Sequence, residues 1–244
     1  MLAQTRVFLY DSSMSDFRPL WPKGPLYYGE SFGTDALCLA DFAGERAFHH
    51  CCDLGCGSGI LLLLLAWGRP TATFEGVELR SGAAAQCRAN LAANGLNAHC
   101  QVTEANASDI PLPAGSFDLV VSNPPYFNTD ASPDADRSAM RTECVPLPDW
   151  CAAGARLLKN GGDCCVVYPA ARLTDMLCAL RAAGLEPKEL RFVAHRAEAA
   201  PSRFLCRARK GGKPGLTMRP TLFQTDESGR ETDEYRKICH WEAT

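Results

Sequence analysis

Strand-like and helix-like segments alternate along this chain from residue 47 onward, and this alternation restricts the possible folds more than any other feature. Strands that alternate with helices form a mostly parallel sheet, because each crossover helix must pack on one face of that sheet. We therefore predict an α/β fold with a seven-stranded, mostly parallel sheet and helices on both faces. The predicted strands lie within residues 47–55, 71–79, 97–105, 116–123, 163–169, 189–196 and 202–211. The predicted helices between them lie within residues 59–68, 81–95, 146–162 and 171–185.

The length and composition are those of one globular domain. A chain of 244 residues can bury a sizeable core, and 46% hydrophobic and 22% charged residues are ordinary for a water-soluble protein. No apolar run approaches the roughly 20 residues that a membrane helix needs, and the N-terminal residues lack the features of a signal peptide. We expect a cytoplasmic protein without a membrane partner, either a monomer or a homodimer.

Thirteen cysteines raise the question of disulfides or a metal site, and their placement argues against both. Their number is odd, no CxxC pair occurs, and no histidines cluster near them. Cys51, Cys52, Cys164 and Cys165 lie in predicted buried strands, where free cysteine behaves as a small apolar residue. We expect reduced core cysteines and no metal.

The segment DLGCGSG connects the first predicted strand to its helix. Gly55, Gly57 and Gly59 would let the backbone turn tightly and approach a ligand closely, although a plain tight turn is an alternative interpretation. The next strand ends at Glu78, an acid placed to bind two ribose hydroxyls at the carboxyl edge of the sheet. This pattern alone is compatible with a nicotinamide cofactor and with S-adenosylmethionine (SAM).

The strand DLVVS stops at the turn Asn123-Pro124-Pro125-Tyr126, because proline cannot donate the hydrogen bonds of a sheet. This turn resembles the signature of amino-methyltransferases. With DLGCGSG it places the chain among SAM-dependent class I methyltransferases of Rossmann-like fold, and the resemblance implies SAM rather than a nicotinamide. An alternative interpretation of the turn is a proline-terminated strand with a packed aromatic ring.

The same resemblance implies the residues of the SAM site. They are Thr34, Asp35, Asp53, Gly55, Gly57, Gly59, Glu78, Leu79, Asn106 and Asn123. Asn106 stands where the family usually has an Asp that accepts a hydrogen bond from the adenine amino group, and Asp109 is an alternative for that role. The segment with Thr34 and Asp35 would lie over the methionine end of SAM, whereas a plain helix N-cap is the alternative. Residues 1–46 would form an N-terminal segment that covers the SAM site, and residues 47–244 the methyltransferase domain of a single-domain protein.

The Asn-Pro-Pro-Tyr turn also predicts how an amine could be methylated. A planar exocyclic amine is a poor nucleophile because its lone pair is delocalised into the ring. The Asn123 side-chain oxygen and the Pro124 carbonyl can accept both N–H hydrogens and favour a tetrahedral nitrogen, while Pro125 stiffens the turn. Tyr126 would stack on an unstacked base, and Phe127 would add to that surface.

Two longer segments narrow the expected substrate. LEPKELRFVAHRAEAAPSRFLCRARKGGKPGL and RPTLFQTDESGRETDEYRKI resemble bacterial tRNA adenine-N6 methyltransferases that modify the purine beside the anticodon of a valine tRNA. The resemblance runs from about Phe32 to Ile238 and implies a tRNA partner. We expect no DNA substrate, because the chain has no room for the additional recognition domain that DNA enzymes of this type usually carry. The alternatives are another target, such as an rRNA base or a protein glutamine, and a non-catalytic protein that binds SAM or RNA.

Basic residues cluster although the net charge of the chain is −3. No acid occurs between Arg203 and Arg219, so this basic stretch could neutralise phosphates. A solvated strand pair is the alternative for the stretch, and an ion pair with Glu143 is the alternative for Arg141. The residues predicted to contact tRNA are Phe127, Arg137, Arg141, Arg207, Arg209, Lys210 and Lys213.

Overall fold

The computed structural model describes residues 18–19, 27–29, 32–124 and 145–240 of the chain. The described strands are β1 (Arg18–Pro19), β2 (Tyr27–Tyr28), β3 (His50–Leu54), β4 (Thr73–Glu78), β5 (Cys100–Glu104), β6 (Phe117–Ser122), β7 (Leu158–Pro169), β8 (Leu185–Ala194), β9 (Arg203–Lys210) and β10 (Thr217–Phe223). The described helices are α1 (Thr34–Gly44), α2 (Ile60–Gly68), α3 (Ser81–Ala93), α4 (Leu147–Leu157), α5 (Leu173–Ala182) and α6 (Asp233–His240).

The main sheet has the strand order β10-β8-β9-β7-β6-β3-β4-β5. Its neighbouring strands run parallel except at β9, which is antiparallel to both β7 and β8. The strands β1 and β2 form a separate antiparallel pair. The carboxyl ends of β3, β4, β5 and β6 therefore meet at one edge of the sheet, where Asp53, Glu78 and Asn123 of the predicted SAM site lie.

Two hydrophobic cores cover the two faces of the sheet. Neighbouring residues of one strand point to opposite faces, so Cys51 and Val121 belong to the core that includes α1, α2, α3 and α6. Cys52 and Val120 belong to the core that includes α4 and α5. All described cysteines except Cys178 are buried, as expected of small apolar core residues. Across the described ranges, no helix combines the length and the apolar character needed to cross a bilayer.

The structure differs from the predicted elements in several places: β1, β2 and α6 were not predicted, β8 begins already at Leu185, and two further differences concern β10 and α4. The sheet has eight strands rather than seven, because β10 pairs in parallel with β8 at the edge of the sheet. The proline in its sequence TMRPTLF argues against a central strand, but Pro220 lies on an edge strand at a shift of register, where no ladder donor is required. The helix predicted within residues 146–162 ends at Leu157, since Leu158 already pairs with Phe117 in the sheet.

Candidate active site

Three glycines shape the loop between β3 and α2, here called the glycine loop (residues 55–59). Gly55, Gly57 and Gly59 have φ angles of 77°, 53° and 88°, in the left-handed region that favours glycine. A side chain at Gly55 would overlap the ring of Trp150, and one at Gly59 would overlap Cys87. At Gly57 an added Cβ would meet nothing within 4 Å, so this part of the backbone faces open space that a ligand could enter.

Glu78 ends β4 beside the glycine loop and is hydrogen bonded to it. Its Oε2 accepts from the backbone N–H of Gly57 at 2.9 Å, and its Oε1 accepts from the backbone N–H of Arg80 at 3.0 Å. The residue is 7% exposed, so these bonds fix the orientation of the carboxylate, and its remaining lone pairs can accept from the hydroxyls of a ligand. The neighbouring Leu79 is 44% exposed and offers an apolar surface at the same edge.

Asp53 lies at the end of β3 and is only 1% exposed. Neither of its carboxylate oxygens has a hydrogen-bond partner among the described residues. Burial, and after it the charge of Glu78, raise the pKa of this carboxyl to about 8. A buried polar group without a partner is unfavourable, so the site suits a ligand that brings a hydrogen-bond donor or a positive charge to Asp53.

The Asn-Pro-Pro-Tyr turn begins directly beside the glycine loop. Strand β6 ends at Ser122, whose hydroxyl donates to the backbone carbonyl of Leu54 at 2.7 Å. Asn123 follows with an intermediate exposure, and Pro124 is buried. The two predicted amine acceptors therefore adjoin the predicted cofactor loop. The other predicted residues of this turn and the loop after it lie outside the described ranges: Pro125, Tyr126, Phe127, Arg137 and Arg141.

Asn106 and Asp109 lie in the exposed turn that follows β5. This turn adjoins β4, because the backbone N–H of Ala105 donates to the carbonyl of Glu78 at 3.0 Å. The Asn106 Oδ1 already accepts from the backbone N–H and the hydroxyl of Ser108, both at 3.0 Å. An adenine amino group would have to share this oxygen, so the contact of Asn106 or Asp109 with SAM stays a prediction.

Thr34 and Asp35 begin α1 but do not cap it. The N-cap residue is Gly33, and it makes no side-chain capping bond, so the alternative interpretation of Thr34 and Asp35 as a plain N-cap is wrong. Asp35 instead accepts from the Nε of Arg203 at 3.0 Å. Thr34 hydrogen bonds to Tyr235, a phenol whose pKa is raised mainly by burial. Both residues are thus engaged within the fold, and their contact with SAM stays a prediction.

The sequence matches a known protein family over more than half of its length. The profile of the methyltransferase small domain family matches residues 32–172. The chain belongs to the methyltransferase small domain family. A tRNA1(Val) (adenine(37)-N6)-methyltransferase of Parabacteroides distasonis is 31% identical over 71% of this chain and 74% of that relative. A relative of the same name from Porphyromonas gingivalis is 34% identical over 59% of this chain, and the match spans 60% of that relative's length.

The solved structures confirm the fold of this methyltransferase family member. A crystal structure described as a predicted O-methyltransferase, protein Atu636 from Agrobacterium tumefaciens, aligns with a TM-score of 0.71 and 22% identity. The alignment covers 86% of this chain and 97% of that protein. The predicted class I methyltransferase fold and the predicted resemblance to bacterial tRNA adenine-N6 methyltransferases are therefore both confirmed.

In this member of the family, acids distant in sequence neutralise part of the basic stretch. Arg207 is 1% exposed and donates to the backbone carbonyl of Phe42. Its guanidinium also pairs with Asp163 and Glu189 at 3.6 and 3.8 Å. The predicted tRNA contact of Arg207 is therefore wrong, because a phosphate cannot reach a buried guanidinium that already has partners.

Arg209, Lys210 and Lys213 lie at or beyond the opposite edge of the sheet from Asn123. Arg209 binds both carboxylate oxygens of Asp163, at 2.8 and 3.0 Å, and Lys210 donates to a backbone carbonyl at 2.8 Å. Lys213 is exposed. Asp163 pairs near the amino end of β6, whereas Asn123 follows its carboxyl end. A tRNA contact of these three residues stays a prediction, and their position weighs against it.

Asn90 is a site residue that the sequence reasoning missed. Its Nδ2 donates to the carbonyl of Ser58 in the glycine loop at 2.8 Å, and its Oδ1 accepts from the N–H of Gly29 at 3.1 Å. Asn90 is fully buried in α3 and so ties the segment after β2 to the glycine loop. An asparagine inside an Ala-rich helix was the available signal, since it is unfavourable there unless its side chain is used.

Proposed function

We propose that this protein transfers the methyl group of SAM to the N6 amino group of an adenine in tRNA. The observation that carries the proposal is the 2.7 Å hydrogen bond from Ser122 to the carbonyl of Leu54. It joins the strand end before Asn123 to the strand end before the glycine loop, and so supports a methyl acceptor beside a methyl donor. The name of the two relatives supports adenine 37 of a valine tRNA as the specific target.

The residues at the carboxyl edge fit SAM. Glu78 would accept from its ribose hydroxyls, and the exposed Leu79 would lie against its adenine. Asp53 would accept from the methionine ammonium group, which would provide the partner that this buried carboxyl lacks among the described residues. When bound, SAM supplies a methyl group on a positively charged sulfur.

The chain's own part in the transfer is to hold the amine. The side-chain oxygen of Asn123 and the backbone carbonyl of Pro124 would each accept one hydrogen of the adenine NH2 group. The two prolines would hold the Pro124 carbonyl in place before the reaction, so little reorganisation of this acceptor would be needed as positive charge develops on the nitrogen. The nitrogen would lose its extra proton after the transfer. Tyr126 would hold the extruded base by stacking.

The bonds of Asn90 support the proposed organisation of the chain. Gly29 and Ser58 share Asn90 as a partner, so the segment after β2 is connected to the glycine loop. We therefore keep residues 1–46 as a segment that covers the SAM site and residues 47–244 as the methyltransferase domain of one single-domain protein. The tRNA substrate is consistent with a cytoplasmic location.

Methyl transfer from labelled SAM to separate tRNA, rRNA and protein fractions tests the proposal. Label should enter the tRNA fraction, and mass spectrometry of its nucleosides should show N6-methyladenosine. Asn123→Ala should lower the rate by roughly 100-fold or more, the scale of losing one preorganised polar contact. Its affinity for SAM, measured by calorimetry, should stay within about twofold.

Asn160→Ala is the matched control, because Asn160 is exposed near the start of β7 and far from the turn. Its rate should equal that of the wild type. Label in the protein or rRNA fraction would reject tRNA as the substrate while keeping methyl transfer. A rate for Asn123→Ala equal to that of the control would remove Asn123 from catalysis.

A further inference from the structure

A chain of two hydrogen bonds connects α4, β6 and the glycine loop. The indole Nε1–H of Trp150 donates to the hydroxyl oxygen of Ser122 at 3.0 Å, and that hydroxyl donates to the carbonyl of Leu54 at 2.7 Å. Ser122 immediately precedes Asn123, and Leu54 immediately precedes Gly55. The two bonds therefore join the residue before the amine acceptor to the residue before the glycine loop.

The peptide between Leu54 and Gly55 is held from two sides. Its carbonyl accepts from Ser122, and its N–H donates to the carbonyl of Val77 at 2.8 Å. The ring of Trp150 also packs against Gly55, where an added Cβ would lie 2.8 Å from the nearest ring carbon. Trp150 thus contacts the glycine loop directly as well as through Ser122.

Ser122 and Trp150 lie in closely packed surroundings. Ser122 is 1% exposed, and the space lined by Ser122, Trp150 and Leu54 is about 10 Å³. This is at the lower limit of the roughly 10–15 Å³ that one water molecule needs. Loss of the indole N–H would leave the Ser122 oxygen without this donor among the described residues.

We propose that Trp150 and Ser122 are positioning residues that set the distance between the sulfonium methyl group and the amine at Asn123. The inference depends on the proposed function, since it assigns the two residues to that reaction. Neither residue would touch the reacting atoms. Their effect acts through Asn123 and the glycine loop, so it concerns the rate of transfer more than the binding of either substrate.

Trp150→Phe and Ser122→Ala test this role under conditions in which the wild type methylates tRNA. Trp150→Phe keeps an aromatic ring but removes the N–H donor together with part of the indole that packs against Gly55. In each variant kcat should fall about tenfold, while KM for tRNA and Kd for SAM stay within about twofold. The double variant should lose less than the two single losses combined, because both changes break the same chain of bonds and Trp150→Phe adds only the loss of its direct contact with Gly55. Trp67→Phe is the matched control, since Trp67 is exposed at the end of α2, and its kcat should not change.

Tryptophan fluorescence gives a second measurement that does not depend on turnover. SAM should change the emission of the wild type and of Trp67→Phe, because Trp150 contacts the glycine loop, and this change should be smaller in Trp150→Phe. The inference would be overturned by a wild-type kcat in both variants, or by additive losses in the double variant. It would also be overturned if Kd for SAM rose by the same factor as kcat fell. A wild type that methylates no tRNA would instead reject the proposed function, and the positioning role with it.

Discussion

Buried ionisable groups are paired differently at the two ends of the strands of the main sheet. The carboxyl edge is the side at which the central parallel strands end, and the amino edge is the side at which they begin. At the carboxyl edge, neither oxygen of Asp53 has a partner within the described part of the chain, and the backbone at Gly57 faces open space. At the amino edge, the buried Arg207 pairs with Asp163 and Glu189. A binding site keeps polar groups for its ligand, whereas a structural network satisfies them within the fold. Asp53 has no ion-pair partner among the described residues, whereas Arg207 has two, although its Nε makes no hydrogen bond with them.

The amino-edge network extends beyond these three residues. Arg46 and Arg209 also pair with Asp163, at 3.5 and 2.8 Å, and Arg219 lies 3.8 Å from Glu189. Several guanidinium groups thus surround two acids, and the network joins the segment after α1 to strands β7, β8, β9 and β10. We expect substitutions in it to change the free energy of unfolding and leave SAM binding intact.

Arg207→Met has the largest expected effect. Methionine fills a similar volume but leaves Asp163 and Glu189 short of a buried partner, and breaking such a pair costs about 3 kcal/mol or more. Urea unfolding should show this loss in the free energy of unfolding, while Kd for SAM of the folded protein stays unchanged. Arg209→Met is the control on the same strand and should cost less than about 1 kcal/mol, because its side chain is partly exposed. Equal losses in the two variants would contradict the distinction.

Glu78→Ala should instead weaken SAM binding with little change in stability. Charged hydrogen bonds contribute about 1.5–3 kcal/mol, so Kd for SAM should rise about 10- to 100-fold in calorimetry. Glu104→Ala is the matched control, because Glu104 pairs with Glu78 in register at the end of β5 but is exposed to solvent. An unchanged Kd for Glu78→Ala, or an equal rise in the control, would place Glu78 outside the SAM site.

Asp53→Asn should stabilise the ligand-free protein and weaken SAM binding at the same time. The pKa of Asp53 in the folded state is about 8, above the usual carboxyl range, so its contribution to stability is full at pH values below about 4 and is lost as the pH rises through 8. Asparagine carries no charge, so the variant should gain about 1–3 kcal/mol over the wild type at pH 8 and much less at pH 5. Urea unfolding at the two pH values measures this gain, and a parallel pH dependence in both proteins would contradict it.

The smallest effect of these predictions is expected for Arg209→Gln combined with Lys213→Gln. This double variant should leave the salt dependence of tRNA binding unchanged. Both residues lie at or beyond the amino edge, away from Asn123. The slope of log Kd for tRNA against log salt concentration should therefore match that of the wild type. A slope reduced by about two would show that the tRNA reaches the amino edge after all.

Local patterns predicted the strands and the glycine loop, because their causes lie within a few residues. Adjacent apolar residues such as Val120 and Val121 face the two cores in turn, and a strand covered on both faces must be apolar at every position. Gly55, Gly57 and Gly59 all adopt positive φ angles, which the spacing of glycines before a helix already indicated.

The sequence by itself determined the fold class, the glycine loop and the end of the strand before Asn123. Only the tertiary structure decided which acids pair with the basic residues and that β10 lies at the edge of the sheet. The stretch after Arg203 contains no acid, yet Arg207 and Arg209 bind Asp163, which strand order places beside them. Strand order likewise placed the proline of β10 on an edge strand, and the packing of α4 on the sheet brought Trp150 to Ser122. Periodicity is a local property of the chain. These contacts instead depend on which strands and helices, distant in sequence, lie next to each other in the fold.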